Sequence, residues 1–166
     1  MNAFYQATIS FTSQNVGARR ISRIDKILTR GEMCAIGIGL ITGLLELAFA
    51  PFLLGIYSSS GAVVAAGMRR MRIIAPTYAL CGAMDVMVGV LRGMGYSVMP
   101  MLVSLVGVCG LRILWITTLF QMPQFHTLEM LYITYPVTWG VTATAHLITF
   151  LVLRKKLREK AVARRL

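Results

Sequence analysis

Four apolar stretches, each long enough to cross a bilayer, fill most of this 166-residue chain. They run from Met33 to Tyr57, Ile73 to Leu91, Met101 to Phe120 and Leu131 to Leu153. A helix needs about 20 predominantly apolar residues to cross the hydrocarbon core. A soluble fold of this size has no use for four such runs, and 57% hydrophobic residues with a mean hydropathy of +0.70 agree. Within lipid only helices and closed barrels satisfy their own backbone hydrogen bonds. The runs are continuous and do not alternate with period two, which excludes a barrel. The expected fold is all-α, a polytopic transmembrane bundle of one domain with four complete spans, and the lipid bilayer is its first partner.

The net charge of +11 would suit a nucleic-acid binder, but the positions of the charges fit a membrane topology instead. Arg19, Arg20, Arg23, Lys26 and Arg30 precede the first span. Arg154, Lys155, Lys156, Arg158, Lys160, Arg164 and Arg165 follow the last, in a basic tail over 154–166. Four spans put both clusters, and the loop carrying Arg92, on one side of the membrane. The positive-inside rule makes that side cytoplasmic, so the carboxy terminus is expected in the cytoplasm. Arg69, Arg70 and Arg72, at the external start of span two, run against this pattern. No nucleic-acid partner is expected. Cys34, Cys81 and Cys109 lie in or beside spans without metal or redox spacing and read as buried, reduced residues.

The chain opens on Ala3 to Ser13, which is mildly apolar and too short to span. It reads either as the last turns of a membrane helix or as a short interfacial helix. Asp25 to Glu32 forms a charged approach to span one. Gly37, Gly39 and Gly43 within that span suit close helix contact in lipid. Pro51 and Gly55 loosen its outer end. Span two starts near Met68, with Pro76 as a kink or a first-turn residue. Arg92-Gly-Met-Gly95 makes a tight internal turn, and Pro100 fits the first turn of span three.

Charged side chains inside spans are costly and point to function with a partner to be named. Asp85 lies roughly 10 Å into the membrane, counted at 1.5 Å per residue from the inner end of span two. A carboxylate there can bind a proton or Na⁺, or pair with a cation. Arg112, near the middle of span three, reaches a similar depth and is its possible ion-pair partner, with an anchoring role as the simpler reading. Glu46 either lines a cavity or reaches the interface. His146 reads as a histidine hydrogen-bonded between helices. Tyr78 and Met84 suit a substrate cavity for apolar cations, with packing as the simpler reading of each. No phosphate-binding loop and no zinc-protease pattern is present, so no catalytic residue, metal ligand or cofactor is expected. The protein reads as a non-enzyme.

Taken in order, several motifs resemble one family. Gln14-Asn15-Val16-Gly17-Ala18 followed by basic residues looks like a cytoplasmic loop of the multidrug and toxic compound extrusion (MATE) transporters. Leu91-Arg92-Gly93-Met94-Gly95-Tyr96-Ser97-Val98-Met99-Pro100-Met101 looks like a later loop of that family, and Leu111-Arg112-Ile113 and Tyr135-Pro136-Val137-Thr138-Trp139 fit the helices that follow. Each motif alone is weak, and the ordered set is specific. The resemblance implies the end of helix eight, then helices nine to twelve and the tail, a partial MatE domain over 1–166 within the carboxy-terminal lobe of a 12-helix fold. It makes Ala3 to Ser13 a truncated helix and leaves helix seven and the amino-terminal lobe as missing partners.

The resemblance also implies export of organic cations or amphipathic solutes by alternating access, coupled to Na⁺ or H⁺, from a bacterial cytoplasmic membrane. Relatives carry coupling carboxylates in helices one, seven and ten, and Asp85 falls in the helix-ten region. Some sodium-coupled relatives place theirs about one turn earlier, here near Cys81. Activity of this chain alone is not expected. Two other readings stand beside it: a non-transporting membrane remnant or interaction subunit, and a lipid-linked saccharide flippase of the same superfamily.

Overall fold

The computed structural model describes residues 2–163, with side chains as far as Glu159. Arg164 and Arg165 of the basic tail therefore lie outside the described residues. Every described element is helical. The elements are α1 (Asn2–Gly17), α2 (Ile24–Ala48), α3 (Ala50–Tyr57), α4 (Gly61–Gly93), α5 (Val98–Ser104), α6 (Leu111–Thr117) and α7 (Leu128–Ala163). A π-helical stretch, Leu105–Gly110, joins α5 to α6 without interruption. Four segments are long and apolar enough to cross a membrane: Ile21–Ala48, Gly61–Gly93, Val98–Gln121 and Leu128–Glu159. The fold is the polytopic helical bundle expected.

The helices extend well beyond the apolar runs. α2 begins at Ile24, so the charged approach from Asp25 to Glu32 is part of the helix itself. α4 begins at Gly61, so Pro76 lies deep inside it and Arg69, Arg70 and Arg72 are helical. Hydropathy marks where a segment prefers lipid, whereas a helix continues for as long as its backbone hydrogen bonds do. The chain breaks between α2 and α3 at Phe49. Pro51 accounts for the position: it has no N–H to carry the ladder onward, and it sits in the first turn of α3.

α4 is the centre of the bundle, packed against α1, α2 and α7. Small residues set that arrangement. Gly43 of α2 lies so close to α4 that a Cβ there would stand 2.2 Å from the Ala75 carbonyl oxygen. On the other side, Gly89 and Gly93 of α4 receive Thr8 and Thr12 of α1; a Cβ on Gly89 would meet Thr8 Oγ1 at 2.2 Å. Lipid supplies no hydrophobic drive between helices, so such backbone approach and the dispersion it permits hold the seams. Gly37, by contrast, faces open space.

Two apolar clusters complete the core. One, at the end of the bundle that carries the basic clusters, joins Ile24, Val90, Leu91, Met94, Phe150 and Leu153. The other, deeper, joins Ala83, Met84, Met87 and Ala143, and Leu28 touches both. Outside these seams α2, α3, α5 and α6 expose rows of Ile, Leu, Phe and Met, including Ile41, Phe52, Met101 and Ile113. Such a surface is unsustainable in water and ordinary in lipid or against further protein.

Candidate functional site

A groove of about 600 Å³ opens between α1, α4 and the α5–π segment. Asp85, Met84 and Arg92 reach it from α4, Tyr5 from α1, and Ser104 and Leu105 from the third span. Asp85 and Arg92 are seven residues apart, two turns along one face of α4, so the helix presents a carboxylate and a guanidinium to the same space. No protein donor bonds to the Asp85 carboxylate among the described residues, and its side chain is only partly buried. Arg92 is held: its Nη1 donates to the Tyr5 hydroxyl, and its guanidinium lies 5.7 Å from that ring's centroid. The remaining wall, with Val88, Met101, Val108 and Cys109, is apolar apart from Asn2 of α1. A free carboxylate at one point of a methionine-bearing apolar slot is an arrangement that can accept a cation with an apolar body.

Met84 and Asp85 therefore share one cavity, and Tyr78 does not line it. Tyr78 packs edge-on against Trp139 of α7, ring centroids 6.1 Å apart. Arg112 is likewise elsewhere. The pairing of Arg112 with Asp85 is not formed; the ion pairs among the described residues are those of Asp25 with Arg154 and Arg158. Arg112 turns to α7, where its Nη2 donates to Thr138 Oγ1 at 3.3 Å and its guanidinium sits 4.0 Å from the Tyr135 ring centroid. Similar depth does not bring two side chains together when their helix faces point apart. An aromatic face and a hydroxyl compensate the cation instead.

The internal turn brings four expected residues together. Gly93 lets Thr12 approach, and a Cβ there would meet Thr12 Cβ at 2.5 Å. Gly95 has φ +91°, and the Tyr96 and Gly95 N–H groups bond to the Leu91 and Arg92 carbonyls. That is a Schellman ending, which places its left-handed residue at Gly95. Pro100 is buried inside α5.

Two further polar features mark the core, Glu32, which the sequence does not single out, and His146, which it does. Glu32 lies on the inward stripe of α2 with Ile24, Leu28, Ala35 and Gly39, and both its carboxylate oxygens are buried without a partner among the described residues. Its sequence neighbours make it part of a charged approach, whereas its spacing from Leu28 and Ala35 puts it on the packed face. His146 is fully buried, and its Nε2 and Ser104 Oγ lie 3.0 Å apart, linking α7 to α5 as the interhelical reading expects. It ends a stripe of buried threonines, Thr134, Thr138 and Thr142, spaced four apart along α7. Gly107 of the π segment abuts that stripe: a Cβ there would stand 2.3 Å from Thr142 Oγ1. Among the described residues, no three His, Cys, Asp or Glu side chains are grouped to hold a metal ion.

These features define an integral membrane protein with a polar groove inside an apolar bundle. The MatE family model matches residues 1–118, from α1 to the end of α6. The chain belongs to the MatE family, a family of transporters. No curated protein and no solved structure matches it.

Proposed function

We propose that the groove around Asp85 is the coupling and substrate site of an antiporter that exports organic cations or other amphipathic solutes by alternating access. The observation that carries this reading is the Asp85 carboxylate, without a hydrogen-bond donor among the described residues and open to a largely apolar slot. Asp85 takes up H⁺ or Na⁺ from one side and yields it to the other, and the cation substrate competes for the same charge. Met84, Val88 and Met101 hold the substrate's apolar part. Alternating access rocks one bundle against another around a central site, so a second, amino-terminal set of helices with helix seven completes the machine. In this reading the basic end faces the cytoplasm of a bacterium, with the carboxy terminus inside. A cysteine placed beside Arg158 is then shielded from an impermeant thiol reagent in intact cells, and one beside Gln124 is labelled.

The test is Asp85→Asn in a complete transporter carrying this segment. The substitution keeps size and hydrogen bonding and removes ionisation. Expected is an inserted protein that still binds a cationic dye and exports it at least 10-fold more slowly under a Na⁺ or H⁺ gradient, a loss ordinary for a residue that handles the ion directly. Normal gradient-driven export by the variant removes Asp85 from the mechanism.

A further inference from the structure

At the basic end, α1 and α2 diverge after a turn through Arg19 and the short 3-10 helix Ile21–Arg23. Two cavities open along their shared face. One, of about 350 Å³, is lined by Asn15, Arg23, Lys26, Ile27 and Arg30. The other, of about 360 Å³, is lined by Phe4, Ala7, Phe11 and Cys34, and again by Ile27 and Arg30. Sharing these two side chains, the cavities adjoin. A basic pocket thus opens onto an apolar slot, with Arg30 at the junction.

The charge in the pocket is uncompensated. Arg23, which caps α2, and Lys26 and Arg30 within it follow one another at helical spacing, and none has a carboxylate within ion-pair distance among the described residues. Asp25, the acid nearest in sequence, is engaged by Arg154 at 2.8 Å and by Arg158. The slot continues beside α1 from Phe11 to Phe4, roughly 10 Å at 1.5 Å per residue. Phe11 is 57% exposed there, and none of the described residues covers it.

We propose that this pair of cavities is a binding site for an anionic phospholipid. The phosphate headgroup sits among Arg23, Lys26 and Arg30, and one acyl chain lies in the slot between α1 and α2. Basic pockets between membrane helices recognise lipid headgroups by charge, and the adjoining slot adds what a soluble anion lacks, a place for an alkyl chain. A neutral lipid fills only the slot, and inorganic phosphate only the pocket. The inference rests on neither the transport reading nor the orientation of the protein in the membrane.

Cys34 reports on the slot. In a Cys81→Ala, Cys109→Ala background, the purified chain in detergent is titrated with phosphatidylglycerol, phosphatidylcholine or inorganic phosphate. The rate of Cys34 labelling by an apolar maleimide is followed, with bound lipid counted by native mass spectrometry. Each basic side chain near such a headgroup is worth about fivefold in affinity, so phosphatidylglycerol is expected to bind on the order of 100-fold more tightly than phosphatidylcholine and to protect Cys34. Changing Arg23, Lys26 and Arg30 together to Gln removes that preference. Ala7→Phe, which fills the slot, weakens phosphatidylglycerol without restoring phosphatidylcholine. Changing Arg69, Arg70 and Arg72 to Gln, an equal loss of charge away from the slot, leaves both lipids unchanged. Equal affinity for the two lipids overturns the proposal. So does protection by inorganic phosphate alone, which makes the pocket a simple anion site. Labelling of Cys34 that is blocked before any lipid is added, in a chain that self-associates, means protein covers the slot and also overturns it.

Discussion

α4 and the Val98–Gln121 span are equally able to cross a membrane by composition, with mean hydropathies of 1.6 and 1.9, yet they live in different surroundings. Over its most apolar window, 56% of α4 is buried by the rest of the chain, whereas along the other span only Pro100 and Gly107 are buried. The more hydrophobic helix is the barer one. Hydropathy measures affinity for lipid and says little about protein contact. What separates the two is the spacing of small residues. α4 offers Ala75, Ala79, Ala83, Gly89 and Gly93 at intervals of four and six, and its neighbours close on them. The third span offers Gly107 to Thr142 and otherwise turns Leu102, Leu105, Val106, Ile113 and Leu114 outward.

The contrast is broken most directly at a glycine. Gly43→Leu drives a side chain into the Ala75 carbonyl and is expected to cost more than about 3 kcal/mol, the upper range for overpacking, because backbone has to move. Leu114→Ala, on the bare face of α6, is expected to shift stability by less than about 0.5 kcal/mol. Thermal unfolding of both variants in the same detergent checks the pair. Similar losses would mean that the third span is as tightly held as α4.

A second substitution sharpens the picture of the packed seam. Glu32 leaves two buried oxygens without a partner among the described residues, a burden of about 1–3 kcal/mol. Glu32→Met keeps the length and removes the polar atoms, so the variant is expected to unfold later by an amount in that range. Earlier unfolding of the Met variant would show that the carboxylate has a stabilising partner in solution.

The smallest expected effect compares two turns. Both α1 and α4 end in the same Schellman pattern: Arg20 and Arg19 bond back to Asn15 and Val16, as Tyr96 and Gly95 bond back to Leu91 and Arg92. The left-handed position is Gly95 in one turn and Arg19, with φ 56°, in the other. A side chain there costs about 1 kcal/mol. Arg19→Gly is expected to stabilise by about that much and Gly95→Ala to destabilise by a similar amount, read from the same melting curves. No gain from Arg19→Gly would show that the arginine makes compensating contacts.

The spans and their order were legible because lipid leaves so few backbone solutions, and the ordered loop motifs identified the family. The internal turn was legible for the same reason that it folds: Gly95 stands where a left-handed residue is needed. The partners of buried charges were not. Depth along a helix can be counted, but azimuth depends on how its neighbours pack, so Arg112 was matched in height to Asp85 and found Thr138 and Tyr135 instead. Glu32 was hidden by its charged sequence neighbours, Asp25, Lys26 and Arg30, which drew the whole segment out of the membrane on paper. Its own helical spacing held the contrary information.

The Asp25 clamp carries a consequence for how the chain is made. Asp25 and Arg154 are separated by 129 positions, and Ile24 shares its cluster with Phe150 and Leu153. A ribosome adding about 5–20 residues per second needs on the order of ten seconds to travel that far. During that interval the start of α2 has been synthesised and its final neighbours do not yet exist. The glycine seam with α4 can form early, while the other end of α2 stands open to lipid, chaperone or insertase until α7 emerges. Phe150, Leu153 and Arg154 therefore act as a late latch, closing that end of the bundle long after the rest of α2 has found its neighbours.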